Sequence, residues 1–337
     1  MKALQAFLVC TLFLLPVATS LEIQTADDSH ESSASSATQT IQVALYDSIS
    51  PSVRQLSQAL NYTWRGTESY HMQVDLIGMR DVLSASLDDY DALVIGASGR
   101  QYFHSLLPSW RRAVIDFIEN GGGYLGICGG ANIVSRGIEQ PRTTFDLFIN
   151  IASLDIVDVY LNDDQTEEWQ YLWKDTGEDH IPLLTGLDGT HPVFRDYEND
   201  TRSIVYGGGP GMYPAREAEV TPIATYLEEP MEVAPLHYYT WRGTIKQPVI
   251  TNIKGQWAGV EASYGAGTLV LFGHHPEIPP MRNGSIQESF GTTIYGVPRY
   301  VYAWQDGEQL PEDYNWWIIR RSTAYVAGVP VDELPPI

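Results

Sequence analysis

Stretches in which apolar and polar residues alternate are interleaved along this chain with stretches in which apolar residues recur every three or four positions. Ile41-Gln42-Val43-Ala44-Leu45-Tyr46 reads as a strand ending at Asp47-Ser48. Ser52 to Leu60 reads as an amphipathic helix with Val53, Leu56 and Leu60 on one face. Met72 to Ile77 alternates again, and Asp91 to Ile95 is a third strand running into Gly96-Ala97-Ser98-Gly99. Pro108 opens a helix whose Val114, Ile115 and Ile118 face inward. Gly121 to Gly123 break that helix, and Tyr124 to Ile127 is long enough for one buried strand. Alternating strands and helices with short glycine-bearing connections predict βαβ units, a parallel sheet and an α/β fold class. In such sheets ligands sit beyond the carboxyl ends of the strands, where Gly96–Gly99 and residue 128 both fall.

After Arg136 the pattern changes. Ile149 to Leu161, Ser203 to Tyr206, Thr221 to Thr225, Glu232 to Leu236, Val249 to Ile253 and Trp257 to Ser263 read as strands with few helices between them. This predicts an antiparallel extension of the same sheet or a β-rich insertion. Gly267 to Phe272 is a further apolar strand, and a closing helix over Glu312 to Ala327 packs Trp316, Ile319 and Tyr325 back on the domain. Gly207-Gly208-Gly209-Pro210-Gly211 is either a loop between strands or a cleft wall where backbone must approach a ligand closely. Asp163-Asp164 and Glu167-Glu168, beside Trp169 and Trp173, read as a solvated acidic loop.

The amino-terminal end carries Lys2, an apolar stretch from Ala6 to Leu15, Pro16, and the small residues Ala18-Thr19-Ser20. That is the pattern of a secretory signal peptide over residues 1–20, and it predicts an extracellular protein. The apolar stretch is shorter than the ~20 residues a spanning helix needs. Residues 21–40 are rich in Ser, Ala, Thr and Asp and read as a disordered leader, followed by one domain over 41–328 and a tail over 329–337. Three N-x-[ST] sequons, at Asn61, Asn199 and Asn283, are candidate glycan sites in that compartment. With 42 Asp and Glu against 20 Lys and Arg, the net charge of −22 argues against nucleic acid and anionic membrane surfaces as partners.

Two cysteines are encoded, Cys10 and Cys128, and removal of the signal peptide leaves one. A lone thiol in an oxidising compartment is a buried inert residue, an intermolecular bridge or a nucleophile. Its setting, Gly126-Ile127-Cys128-Gly129-Gly130-Ala131, is the nucleophile-elbow pattern with Cys in place of Ser. A residue on so sharp a strand-to-helix turn needs small neighbours, and its sulfur lies near the unpaired N–H groups that open the helix. The strand Gly267–Phe272 ends in Gly273-His274-His275-Pro276-Glu277. His275 and Glu277 are two apart, so in extended backbone they point the same way and the carboxylate can orient the imidazole. With the cysteine they make a nucleophile, base and orienter. A metal site built from His274, His275 and Glu277 would need more ligands than this stretch supplies, so neither metal nor cofactor is expected.

These residues resemble the class I glutamine amidotransferase-like superfamily, and within it the biotin-protein ligase N-terminal domain family. The likeness is carried by G-G-G-Y-L-G-I-C-G-G-A around Cys128, by Tyr206-Gly207-Gly208-Gly209-Pro210 and by His275-Pro276-Glu277, over about Ile41 to Gly328. It implies a flavodoxin-like three-layer fold with Cys128 as nucleophile, His275 as general base and acid, and Glu277 as its orienter. It also implies an oxyanion hole from the backbone N–H groups of Gly129 and Gly99, and substrate contacts at Asn132, Gly208 and Gly209. Three departures bear on the reaction. Asn132 stands where glutaminases carry Gln, the Gly96–Gly99 loop lacks their P-G-G sequence, and Gly129 stands where the related protease-like branch places His. The expectation is therefore a secreted Cys-His-Glu hydrolase or amidase acting on a small molecule or peptide, with a non-catalytic ligand-binding module on the same scaffold as the alternative.

Overall fold

The structure, a computed structural model, describes residues 38–48, 50–84, 86–97, 99–162, 181–215, 219–233, 237–239, 245–248, 252–282, 285–292, 298–305 and 307–337. All of them belong to one compact unit, Thr38–Ile337. Residues 1–20, the acidic loop at 163–168 with Trp169 and Trp173, Asn283 and Ser98 lie outside the described residues.

The strands of the first half are β1 (Thr38–Tyr46), β2 (Thr63–Arg65), β3 (Ser69–Ile77), β4 (Ala92–Ile95) and β5 (Gly123–Ile127). The second half contributes β6 (Val159–Leu161), β7 (Ile181–Leu187), β8 (Thr201–Tyr206), β9 (Met212–Pro214) and β10 (Val220–Tyr226). A separate ribbon of β11 (His237–Tyr239) and β12 (Ile245–Pro248) follows, and then β13 (Trp257–Tyr264) and β14 (Gly267–Phe272). Last come β15 (Met281–Arg282), β16 (Ser285–Thr292), β17 (Pro298–Gln305) and β18 (Glu308–Gln309), paired β15–β18 and β16–β17. The helices that matter here are α1 (Pro51–Leu60), α2 (Met79–Leu83), α3 (Arg100–His104), α4 (Pro108–Glu119), α5 (Gly129–Val134), α6 (Thr144–Ala152) and α7 (Trp316–Val326).

The main sheet runs β2-β3-β1-β4-β5-β14-β13-β10-β7-β8. Its centre, β3-β1-β4-β5-β14, is parallel. The strands beyond β14 are antiparallel, as the change of pattern after Arg136 predicts. Alternation along β1 explains the layers. Val43 and Leu45 join Leu56 and Leu60 of α1 and Ile318 and Ile319 of α7 in one core. Ala44 and Tyr46 join Trp110, Val114 and Ile118 of α4 and Ile133 of α5 in the other. The parallel register pairs Ile95 with Gly126 and Ile127 with Phe272, so the segments after β4, β5 and β14 emerge together on one edge. Among the described residues no helix is long and apolar enough to cross a membrane.

Several boundaries differ from the periodicity, some for a local reason and some through distant contacts. The strand expected over Ile149–Leu161 is instead α6 followed by the short β6. Thr143 and Asp146 form a reciprocal capping box that starts a helix there (Asp146 N to Thr143 Oγ1, 3.1 Å; Thr143 N to Asp146 Oδ2, 2.8 Å). Of the strand expected at Glu232–Leu236, residues 234–236 lie outside the described residues, and Glu232 and Val233 belong to a single helical turn, Pro230–Val233, opened by Pro230. Of the strand expected at Val249–Ile253, residues 249–251 lie outside the described residues, and Asn252 and Ile253 lead into a turn. β7 has no counterpart in the periodicity, because Pro182 and Gly186 interrupt its pattern. The last three residues of the expected leader, Thr38 to Thr40, already pair with β3. The expected tail is packed: Trp64 Nε1 donates to Glu333 O at 2.8 Å, and Leu334 is buried.

Candidate active site

The fully buried strand β5 delivers Cys128 onto a tight turn with φ 52° and ψ −106°. Side chains with a β-carbon rarely adopt a positive φ, and Asp155 is the one other non-glycine residue with one among the described residues. The turn is fixed from both sides. Cys128 N donates to Phe272 O at the end of β14 (2.7 Å), and Asn132 N donates to Cys128 O at 3.0 Å to begin α5. A β-carbon on Gly130 would lie 1.9 Å from Ile95 O, so the first turn of α5 runs hard against β4. This is the small-neighbour requirement of the elbow met in three dimensions. Cys128 itself is 7% exposed.

His275 comes from the segment after β14 and is buried at 4% exposure. Its backbone N donates to Val205 O in β8 at 2.8 Å, in an isolated antiparallel bridge, so the antiparallel extension returns to the site. His275 Nδ1 lies 2.9 Å from Glu277 Oε1. The pair meets through a turn rather than a continued strand, because Ile278 N donates back to His275 O at 3.2 Å. Pro276 sits at the second position of that turn, where its fixed φ is suited. Glu277 is fully buried; Ser52 Oγ donates to its Oε1 at 2.6 Å, and Trp316 Nε1 donates to its backbone O at 3.2 Å. Burial opposes a charged imidazole, but attraction to Glu277 and then to Cys128 outweighs it and lifts the His275 pKa to about 10. Nε2 is buried with no hydrogen-bond partner among the described residues, and Cys128 lies near enough to raise the ring's pKa.

The glycine loop after β8 forms a wall. A β-carbon on Gly207 would come within 2.9 Å of His275 Nε2. One on Gly209 would lie 1.8 Å from Gly273 O and 3.2 Å from Cys128 Sγ. Gly208, between them, has φ 77° and supplies the turn. Gly129 is the first residue of α5 and Gly99 caps α3 beyond β4, so both stand at helix starts at the sheet edge that carries Cys128. Asn132 is buried and donates from Nδ2 to Tyr102 Oη at 2.8 Å. His274 turns away from its neighbour, stacking on Phe272 (ring centroids 5.2 Å) with Tyr226 edge-on. Among the described residues no three His, Cys, Asp or Glu side chains converge as a metal-holding group.

The structure adds residues that sequence reasoning passed over. Ser52 reaches Glu277 across 225 positions, and no local pattern marks it. Tyr102 is fully buried, and burial, followed by the nearby Cys128, pushes its hydroxyl pKa upward. Its place two residues after the helix start at Arg100 was the only available signal.

Fold and site together define an α/β protein with a cysteine on a strand-to-helix turn facing a buried His–Glu pair. Residues 42–294 match the family model described as biotin-protein ligase, N terminal, and the chain belongs to that family. No curated protein matches it. Among solved structures it is similar to a cytoplasmic protein from Salmonella typhimurium LT2, at 14% identity and TM-score 0.37 over 69% of this chain and 87% of that one. A second cytoplasmic protein from Salmonella typhimurium gives 14% identity and TM-score 0.32 over 69% and 86%. A thua-like protein from Parabacteroides merdae gives 10% identity and TM-score 0.41 over 89% and 93%.

Proposed function

We propose that this protein is a secreted cysteine-dependent hydrolase acting on an amide or ester of a small molecule or peptide. The observation that carries the reading is Cys128 held at φ 52° on the turn between β5 and α5, facing a histidine whose other nitrogen is held by a buried glutamate. A charged His275 beside the sulfur favours the thiolate as nucleophile. The thiolate attacks the carbonyl carbon and a C–S bond forms while the N–H groups of Gly129 and Gly99 receive the oxyanion. His275 Nε2 gives its proton to the leaving nitrogen or oxygen as that bond breaks. The neutral imidazole then takes a proton from water, the water oxygen attacks the thioester, and the acid leaves with the thiolate and imidazolium restored. Asn132, Gly208 and Gly209 line the approach. Export by the segment over residues 1–20 completes the reading, and Asn61 and Asn199 are exposed and free to carry glycans.

The test compares wild type with Cys128→Ala and His275→Ala, using iodoacetamide alkylation and turnover of an amide and ester library. Fast alkylation of the wild type, slowed by about 10²-fold or more in His275→Ala, and loss of all turnover in a folded Cys128→Ala are expected. Turnover that survives Cys128→Ala would sink the mechanism. The small exposure of the sulfur favours one second reading, a binding module on the same scaffold. It predicts saturable ligand binding indifferent to Cys128→Ser and no turnover of any library member.

A further inference from the structure

Glu277 carries its two oxygens in unequal surroundings. Oε1 accepts from Ser52 Oγ at 2.6 Å and faces His275 Nδ1 at 2.9 Å, whereas Oε2 is buried with no partner among the described residues. The orientation of the carboxylate therefore depends on one oxygen shared by two groups. Its backbone is held separately, from α7, through Trp316 Nε1.

Ser52 is itself firmly placed. It lies on the first turn of the ten-residue helix α1, after the N-cap Ser50, whose Oγ accepts from Ser52 N at 3.3 Å and whose backbone O accepts from Val53 N at 3.0 Å. It is 3% exposed. The positive end of the α1 dipole thus points at the buried carboxylate. The same hydroxyl lies beside the loop after β4, where a β-carbon on Gly96 would sit 3.0 Å from Ser52 Oγ and 2.7 Å from Leu56 Cδ1. That loop leads to Gly99.

We propose that Ser52 is a positioning residue of this site, aiming the Glu277 carboxylate at His275. The proposal rests on the reading of Cys128, His275 and Glu277 as a catalytic set, and adds Ser52 behind it. Without the hydroxyl, a single hydrogen bond holds a carboxylate whose other oxygen is unanchored, and the carboxylate turns away from Nδ1. The titratable groups that act on the His275 ring are Glu277 and Cys128, while the adjacent His274 is turned toward Phe272 and Tyr226, so a change confined to Ser52 reaches the imidazole through Glu277.

The experiment uses the full chain, labelled with ¹⁵N, as wild type, Ser52→Ala, Ser52→Thr and Ser52→Cys. Two quantities are followed: the His275 imidazole by NMR titration, including its Nδ1 proton, and the alkylation rate of Cys128 in the variants without an added thiol. Ser52→Ala is expected to weaken or broaden the Nδ1 proton and to move the His275 titration down from about 10 toward 6.5. It should also slow alkylation about tenfold, the weight of one hydrogen bond to a charged group. Ser52→Thr restores all three, and Ser52→Cys, which keeps the volume with a weaker donor, shifts the titration the same way by less. An unchanged His275 titration and Nδ1 proton in Ser52→Ala overturn the proposal, and so does an unchanged titration in Ser52→Cys if Ser52→Ala does not fold. Failure of the nucleophile reading shows elsewhere, as wild-type alkylation that ignores His275→Ala.

Discussion

At Cys128 the chain holds a conformation that costs about 1–3 kcal/mol for a residue with a β-carbon. Hydrogen bonds to Phe272 and Asn132 on either side hold it there. The adjacent histidines show how position, not residue type, sets chemistry. His275 is lifted to about 10 because Glu277 and Cys128 outweigh its burial. His274, buried against Phe272 and Tyr226, is pushed by burial down to about 3. The two act on stability in opposite directions. A histidine raised from 6.5 to about 10 stabilises the fold fully below pH 6.5 and loses that contribution as pH rises through 10. One lowered to about 3 contributes above pH 6.5 and loses it as pH falls toward 3. Denaturant unfolding across pH is expected to show a maximum near pH 6.5, with His275→Gln flattening the alkaline limb and His274→Gln the acid limb. An alkaline limb unchanged in His275→Gln would contradict the assignment.

Elements far apart in sequence are clamped together by the carboxyl-terminal segment. Glu333 accepts from Trp64 Nε1 through its backbone O at 2.8 Å and from Thr67 N through its carboxylate at 2.9 Å. Pro335 O accepts from the buried Arg321 of α7 at 2.8 Å. Val329 and Leu334 are buried in the same core as α1 and α7. Truncation after Gly328 removes these contacts and two buried aliphatic side chains worth about 1.5–3 kcal/mol each. A fall in thermal midpoint of several degrees, with Cys128 alkylated faster as α7 loosens behind Glu277, is the expected outcome in a thermal melt and an alkylation time course. An unchanged midpoint would mean that the segment is an appendage.

Across the whole molecule, the parallel centre supplies the edge on which the site sits, and the antiparallel extension returns to complete it. Val205 of β8 pairs with His275, and Gly207 and Gly209 close against Nε2 and Sγ. All this is carried by a chain of net charge −22. Such an excess of one sign repels itself, and salt shortens the reach of that repulsion from about 30 Å at 0.01 M to about 3 Å at 1 M. The thermal midpoint is therefore expected to rise between low and high sodium chloride. A flat or falling midpoint would show that the acidic groups are locally compensated.

Features that depend on neighbours close in the chain are legible in the sequence. Periodicity placed β1, α1, β5 and β14, and the glycines about Cys128 marked the elbow, because a strained turn leaves its mark within a few residues. His275-Pro276-Glu277 was legible for the same reason, although the pair closes through a turn. Only the assembled fold packs residues 329–337 and brings Ser52 and Tyr102 behind Glu277 and Cys128, whereas α6 starts at the local Thr143–Asp146 box that hydrophobic alternation does not register. The assembled fold also sets Gly207 and Gly209 close against His275 and Cys128. These outcomes rest on contacts such as Ser52 with Glu277, 225 positions apart. Side chains that meet only when the sheet assembles leave no local pattern, so nothing short of the fold records them.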